Sequence, residues 1–181
     1  MISRGASSRA AIVALALVLL VPGLATAATV VQRFKATTIR GDQLDLDQLR
    51  RRGPVLIDFW ATWCKPCVAA LPEIQAIHRR FGPRGLTTVG ISVDGPRNFA
   101  KVRPFVARLG LTYPIVLDQD GSLQSRFQVR AMPTTVLVDT SGMVVRVVQG
   151  YRPGEGVELA IAIEALLGAA PADSGVPDVP R

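Results

Sequence analysis

Three features of this 181-residue chain predict a single α/β domain built on a mixed sheet. Apolar strand patterns alternate with helical patterns across residues 55–127, which is typical of parallel strands joined by helices. Two further strand patterns, at residues 134–138 and 144–149, flank Thr140-Ser141-Gly142 and predict an antiparallel hairpin at one sheet edge. Hydrophobic residues make up 49% of the chain and charged residues 19%, which is enough apolar material for one packed core.

The chain begins with a segment organised like a secretory signal peptide. Arg4 and Arg9 lie around the start of a continuously apolar run at residues 10–21, and Ala25-Thr26-Ala27 fits a small-residue cleavage motif. The apolar run is shorter than the roughly 20 residues that a membrane-spanning helix needs. We therefore expect residues 1–27 to be removed after export to an oxidising compartment, the periplasm in a bacterium. Retention as an uncleaved membrane anchor is the alternative.

A hairpin and a short helix are predicted before the first strand of the main sheet. Residues 34–46 alternate in polarity around the turn Arg40-Gly41-Asp42. Residues 45–52 form a helical turn that Gly53-Pro54 ends. Residues 55–59 are apolar except for Asp58, which predicts a buried strand.

The remaining elements follow from helical and strand periodicity. Over residues 64–80, apolar side chains recur at spacings of three and four and predict a helix with one buried face. The later predictions are a strand at 85–93, a helix at 98–109, a strand at 113–117, a helical turn at 121–127, the hairpin, and a helix at 155–167. Residues 28–168 thus form the domain, and residues 169–181, rich in Pro, Ala and Gly, are predicted to be a disordered tail.

Cys64 and Cys67 are the only cysteines and lie in the run FWATWCKPC. As a structural staple they would stabilise the fold little, because a short loop restricts the unfolded chain little. A cysteine at a helix N-terminus faces free N–H groups that favour the thiolate and lower the thiol pKa. We expect Cys64 to be an exposed nucleophile and Cys67, more buried, to be the resolving thiol. Lys65 adds positive charge between them, and Pro66 stiffens the turn.

Metal and nucleic-acid chemistry find little support in the sequence. A structural zinc site needs four ligands, and the only histidine, His78, lies about three helical turns beyond Cys67. No metal is expected, although a Cu(I) site formed by Met132 and the two cysteines remains an alternative. The net charge of +7 falls to +5 without the two arginines of the leader. Nothing in the sequence pairs the basic residues with exposed aromatic ones, so no nucleic-acid partner is expected.

The segment VLIDFWATWCKPC resembles the active-site strand and loop of the thioredoxin superfamily. Together with LPEIQAIHRRF it resembles the exported TlpA/ResA-like branch in particular. The resemblance spans residues 34–167, and residues 96–117 supply the additional helix and strand of that branch. It implies a thioredoxin-like fold with an N-terminal hairpin and a central αβ insertion. It also implies thiol:disulfide oxidoreductase activity with no cofactor beyond the redox-active Cys64–Cys67 disulfide.

The resemblance assigns roles to further residues. Asp58, six residues before the first cysteine, matches a buried acid that accepts the proton of the second cysteine, and burial would raise its pKa. Met132-Pro133-Thr134 matches a segment with a cis proline that faces the disulfide, where the Met132 backbone would pair with an extended substrate. Trp60 is expected in the core. The expected substrate-docking residues are Trp63, Lys65, Pro66, Met132, Pro133 and Thr134.

Three departures from relatives narrow the function. Ala70 stands where some ResA-like reductases have a glutamate, which leaves Asp58 as the acid–base residue. Residues 129–134 lack the glutamate and glycines of the cytochrome-maturation CcmG group, which disfavours dedicated apocytochrome work. Ala61 stands where peroxiredoxins need a threonine or serine, which disfavours peroxidase activity.

The residues between the cysteines indicate the direction of electron flow. Lys65-Pro66 lacks the histidine found in DsbA-type oxidants, so the sequence predicts a periplasmic reductant of disulfide-containing client proteins. A membrane thiol electron donor would recharge it. Clients in cytochrome c or copper-centre assembly are implied by resemblance alone. A disulfide oxidase or isomerase, and a non-catalytic Cu(I)-binding module, are the alternatives. A monomer is expected.

Overall fold

The computed structural model describes residues 30–168, so the predicted signal peptide and the predicted tail lie outside the described residues. The chain order is β1 (Lys35–Thr37), β2 (Gln43–Asp45), α1 (Leu46–Arg52), β3 (Val55–Trp60), α2 (Lys65–Phe81), β4 (Thr87–Ser92), α3 (Phe99–Arg108), β5 (Ile115–Leu117), α4 (Ser122–Arg126), β6 (Thr134–Val138), β7 (Val144–Gln149) and α5 (Glu155–Gly168). Short 3₁₀ turns at Gly82–Arg84 and Pro96–Asn98 follow α2 and precede α3.

Five strands form a mixed sheet in the order β5-β4-β3-β6-β7. β3 and β4 are parallel, as are β4 and β5, whereas β6 runs antiparallel to both β3 and β7. The predicted mixed sheet with an antiparallel edge is therefore confirmed. β1 and β2 form a separate antiparallel hairpin, and a bridge from Thr38 to Val116 places the end of that hairpin beside β5.

The central strand β3 is buried along its whole length, which explains its nearly continuous apolar sequence. Alternate side chains pack into two different clusters on the two faces of the sheet. Val55, Ile57 and Phe59 pack with β4 and β6 residues on one face. Leu56 and Trp60 pack beneath α2 on the other face. Trp60 is fully buried and its ring stacks on Phe105 of α3 at a centroid distance of 5.6 Å, as its predicted core position requires.

Several element boundaries differ from the sequence prediction by one or two residues, and the starts of α2 and β5 differ for identifiable local reasons. The helix predicted from residue 64 begins at Lys65, because Cys64 has extended backbone (φ −86°, ψ 100°) and is its N-cap. The strand predicted from residue 113 begins at Ile115, because Pro114 has no N–H to donate to a ladder. The Pro114 carbonyl still accepts a hydrogen bond from the Gly90 N–H at 2.9 Å. Within residues 30–168, none of the helices combines the length and apolar content required to cross a bilayer.

Candidate active site

The two cysteines form a disulfide at the amino end of α2, with a Cα–Cα distance of 5.2 Å. β3 ends at Trp60, and the loop that follows delivers Cys64 to the N-cap position. The Cys64 Sγ accepts a hydrogen bond from the Cys67 N–H at 3.3 Å. The same N–H and the positive end of the helix dipole would stabilise a thiolate on Cys64 once the disulfide is opened.

The accessibility of the cysteines differs from the prediction. Cys64 was expected to be exposed, but only 6% of its surface is accessible, and Cys67 is fully enclosed. The reason is that Cys64 belongs to the buried apolar cluster below α2, which also contains Trp60 and Leu71. The predicted order of accessibility is retained, because Cys64 reaches the surface and Cys67 does not.

Asp58 lies on the face of β3 that carries Leu56 and Trp60, and therefore on the side of the sheet that holds Cys67. Its carboxyl group is buried, and its Oδ1 accepts a hydrogen bond from the Thr135 hydroxyl at 2.9 Å. Burial raises the pKa of Asp58 to about 7, although the hydrogen bond from Thr135 acts in the opposite direction. A carboxyl group with this pKa can both accept and return a proton near neutral pH.

Thr135 is a site residue that the sequence analysis missed. The register of the antiparallel pair β3–β6 places it directly opposite Asp58. A threonine is unremarkable within an apolar strand, and only the pairing of two strands far apart in sequence makes it a partner of the acid. Alternation on both strands was the available signal, because it assigns Thr135 to the same face as Asp58 once the register is known.

Tyr113 lies near Asp58 on the same side of the sheet. Burial, and secondarily the charge of Asp58, raise the pKa of Tyr113 well above its ordinary value. The Tyr113 ring and the Trp60 Nε1 both lie close to Gly90, which pairs with Asp58 in the sheet. Neither the Tyr113 hydroxyl nor the Trp60 Nε1 has a hydrogen-bond partner within residues 30–168. Asp58 thus lies among apolar and un-ionised aromatic groups.

The expected docking residues divide into exposed and buried members. Trp63 exposes 60% of its surface, and Lys65 and Pro66 are exposed beside it. Met132 is half-buried against the cluster that contains both cysteines, and the Met132–Pro133 peptide bond is cis. Pro133 is buried.

Thr134 does not offer its side chain for docking, contrary to the expectation. It is buried, it pairs with Phe59 of β3, and its hydroxyl donates a hydrogen bond to the Ala131 carbonyl at 2.7 Å. Its first position in β6 turns the side chain into the sheet interior, so its contribution is to hold the turn that carries Met132 and Pro133.

Asp94 is a second residue that the sequence analysis missed. It follows β4 at the carboxyl end of the strand and is completely buried. Its Oδ2 accepts hydrogen bonds from the Thr62 N–H at 2.9 Å and the Ser92 hydroxyl at 2.8 Å, and its Oδ1 accepts one from the Thr62 hydroxyl at 2.6 Å. The signal was its position, because side chains at the carboxyl ends of adjacent parallel strands meet at one edge.

Within residues 30–168, no three histidine, cysteine or acidic side chains lie close enough together to hold a metal ion. His78 is half-buried on α2, with its ring edge-on to Tyr113 at a centroid distance of 5.6 Å. Burial, followed by the charge of Arg79, lowers the pKa of His78.

The fold and the disulfide at a helix N-terminus define the class, a thioredoxin-superfamily thiol-disulfide oxidoreductase, and comparison with known proteins identifies the family. Residues 27–147 match the AhpC/TSA family. Thiol-disulfide oxidoreductase ResA of Geobacillus kaustophilus is 32% identical over 125 residues, which cover 69% of this chain and 70% of that protein.

Solved structures agree with this assignment. The crystal structure of a putative thiol:disulfide interchange protein DsbE from Chlorobium tepidum has a TM-score of 0.71 and 26% identity, and the match covers 78% of this chain and 97% of that one. A secreted Mycobacterium tuberculosis disulfide oxidoreductase homologous to E. coli DsbE has a TM-score of 0.62 and 26% identity, covering 74% and 96%. The chain therefore belongs to the AhpC/TSA family of the thioredoxin superfamily, as a ResA-like thiol-disulfide oxidoreductase. The predicted fold and enzyme class are confirmed.

Proposed function

We propose that this protein is an exported reductant of protein disulfides in which Cys64 attacks, Cys67 resolves and Asp58 moves the proton. The observation that carries the proposal is the placement of a buried acid with a pKa of about 7 on the side of the sheet that holds Cys67. A buried thiol needs a nearby proton acceptor before it can become a nucleophile, and Asp58 is poised to accept a proton near neutral pH.

The reaction starts from the dithiol form. The Cys64 thiolate attacks one sulfur of the client disulfide, the client S–S bond breaks, and the released client sulfur takes a proton from solvent. Asp58 then accepts the Cys67 proton, and the Cys67 sulfur attacks the Cys64 Sγ. This displaces the second client thiolate and closes the Cys64–Cys67 bond. Two electrons pass to the client, and a membrane thiol donor returns them.

Docking of the client is assigned to the exposed side chains Trp63, Lys65 and Pro66 and to the backbone of Met132. Trp63 supplies a broad apolar surface next to Cys64, of the kind that dominates protein interfaces. The Met132 segment offers backbone groups to an extended client strand.

Reduction rather than oxidation is favoured by the absence of a histidine between the cysteines. A similar Mycobacterium tuberculosis oxidoreductase is described as secreted, which supports export. Assembly of cytochrome c or of copper centres is the proposed setting.

Client trapping tests the assignment of roles. In Cys67→Ser, Cys64 can still attack a client, but no second thiol can break the resulting bond. This variant should therefore accumulate mixed disulfides that an added thiol reductant cleaves. Cys64→Ser is the matched control and should trap nothing. Insulin reduction that survives Cys64→Ser would contradict the assignment of the nucleophile.

A redox titration against glutathione tests the direction. A reductant should have a potential near the roughly −270 mV of thioredoxin, whereas a value well above about −200 mV would indicate an oxidase or isomerase. Tight Cu(I) binding without any insulin turnover would indicate the binding module instead.

Mass spectrometry of the exported protein tests the leader, because cleavage after Ala27 leaves Ala28 as the first residue.

A further inference from the structure

Asp94 is a buried carboxylate outside the cysteine motif, and its hydrogen bonds run to the loop that carries the motif. Its two oxygens accept three hydrogen bonds, two from Thr62 and one from Ser92. A buried carboxylate is costly unless donors satisfy it, and here both the backbone and the hydroxyl of one loop residue do so. The Asp94 N–H in turn donates to the Ser92 hydroxyl at 3.3 Å, which fixes the carboxylate on the end of β4.

The contacts link two strand ends at the point where the cysteine loop leaves the sheet. Trp60 pairs with Ser92 across the parallel strands, and the Val93 N–H donates to the Trp60 carbonyl at 2.8 Å. Beyond that pair, the Thr62–Asp94 hydrogen bonds continue the connection for two more residues. The next residues are Trp63 and Cys64, and the Cys64 N–H donates back to the Ala61 carbonyl at 3.2 Å.

We propose that Asp94 is a positioning residue for the reaction, which holds Cys64 at the amino end of α2 through its two hydrogen bonds to Thr62. The proposal rests on the assignment of Cys64 as nucleophile. In the oxidised protein the disulfide itself ties Cys64 to Cys67. In the dithiol form that covalent bond is gone, and the Asp94–Thr62 contacts keep Cys64 within reach of the Cys67 N–H that stabilises its thiolate.

Removal of the Thr62 hydroxyl tests the proposal without disturbing the core. Thr62→Val should raise the pH midpoint of Cys64 alkylation and slow insulin reduction at pH 7 about tenfold, as expected when a charged group loses one buried hydrogen bond. Thr62→Ser retains the hydroxyl and should stay within about twofold of the wild type. The alkylation profile is measured in Cys67→Ser protein, so that only Cys64 reacts. In that protein the other charged or ionisable side chains on the surrounding elements are Asp58, Lys65, Asp94 and Arg130.

Thr88→Val is the matched control. Thr88 is a buried threonine on β4, and its hydroxyl has no partner within the described residues. Its replacement should leave the alkylation midpoint unchanged. Equal profiles for Thr62→Val and wild type would overturn the proposal, and so would an equally large effect of Thr88→Val.

If Thr62→Val does not fold, a second variant still tests the proposal. Ser92→Ala removes one donor to Asp94 and should move the midpoint in the same direction by a smaller amount; an unchanged midpoint there also counts against the proposal. If wild-type protein reduces no insulin, the proposed function fails, whereas the alkylation midpoints still report on Asp94.

Discussion

Asp58 is an acid enclosed by the core, and its protonation makes the stability of the oxidised protein depend on pH. Its pKa rises from an ordinary value of 3.8 to about 7 in the folded chain. Between these values the unfolded chain has released the proton and the folded chain has not. The unfolded state therefore binds fewer protons, so stability falls as pH rises through this interval and is constant above it. Across this interval the free energy of unfolding falls by about 4 kcal/mol.

Replacement of Asp58 by asparagine should remove this pH dependence. Asp58→Asn keeps the shape and can still accept the Thr135 hydrogen bond, but it carries no proton to lose. We expect the oxidised variant to be more stable than wild type at pH 8 by up to about 4 kcal/mol, and nearly equal to it at pH 4. Urea unfolding at both pH values measures the difference.

An exposed acid provides the control for that experiment. Asp120 lies at the surface before α4, and Asp120→Asn should change stability by less than about 0.5 kcal/mol at pH 8. Parallel stability curves for wild type and Asp58→Asn across pH 4–8 would show that Asp58 ionises normally. In reduction assays, Asp58→Asn should slow the release of mixed disulfides at neutral pH, because Cys67 then lacks its proton acceptor.

At the scale of single residues, the sequence predicts the groups that are proposed to react but not their hydrogen-bond partners. Cys64 and Cys67 are recognisable from their spacing, and Asp58 from its place inside an apolar strand. Thr135 and Asp94 could not be identified, because the hydrogen bonds that give them a role are set by strand register and by loops that meet only in the folded chain. Cys64 was placed correctly at the helix N-terminus, but its burial in the cluster that contains Trp60 depends on tertiary contacts.

Among the elements, the start of the parallel pair β3–β4 requires a close approach of two glycines. Gly53 ends α1 and Gly85 precedes β4, and a Cβ built on Gly53 would lie 2.1 Å from the Gly85 carbonyl oxygen. The obstruction is backbone, which cannot rotate away as a side chain can. The ladder begins immediately afterwards, where the Thr87 N–H donates to the Pro54 carbonyl at 2.9 Å.

Gly53→Ala should therefore destabilise the protein by about 1 to 3 kcal/mol, the usual range for forced overpacking of a dense interior. Gly82→Ala is the control, because Gly82 has right-handed helical backbone and a Cβ there would meet only the His78 ring, at 3.7 Å. It should be neutral or stabilising by about 0.5 kcal/mol. Thermal unfolding of both variants measures the difference, and equal midpoints would contradict the steric explanation.

Element types followed from periodicity, whereas their ends needed local geometry. The hairpin strands Thr134–Val138 and Val144–Gln149 have the predicted bounds, because the Ser-Gly turn between them leaves little freedom. The boundaries of α2 and β5 shifted where a residue's backbone, at Cys64 and Pro114, is unsuited to the regular element. The Gly53–Gly85 contact was not foreseeable from either glycine alone.

For the whole molecule, the strand order decides which segments meet around the disulfide. β3 lies between β4 and β6, so the loop after β3 lies between the end of β4 and the start of the antiparallel β6. The loop after β3 leads to the cysteines, the end of β4 is followed by Asp94, and β6 is preceded by Met132 and Pro133. The family resemblance predicted this arrangement for the cysteines and for Pro133. The place of Asp94 beside the cysteine loop follows only from the order of the strands in the sheet.

The proposed direction of electron flow also has a consequence for the stability of the whole molecule. Oxidation and unfolding form a closed thermodynamic cycle, so a fold that prefers the disulfide over the dithiol has a lower reduction potential than its own unfolded chain. The oxidant DsbA represents the opposite case, because its fold stabilises the reduced form. Each 30 mV between the folded and unfolded potentials corresponds to about 1.4 kcal/mol of difference in stability between the oxidised and reduced proteins.

The oxidised form should accordingly be the more stable one. We expect guanidinium unfolding at pH 7 to give a higher midpoint for the disulfide form than for the dithiol form. The potential of the unfolded chain, measured in the same denaturant, should exceed that of the folded protein by the amount that the stability difference requires. Cys64→Ser/Cys67→Ser serves as control, because a reductant cannot change its midpoint. A dithiol form that is the more stable of the two would place the folded potential above that of the unfolded chain, as in DsbA, and would contradict the proposed reductant.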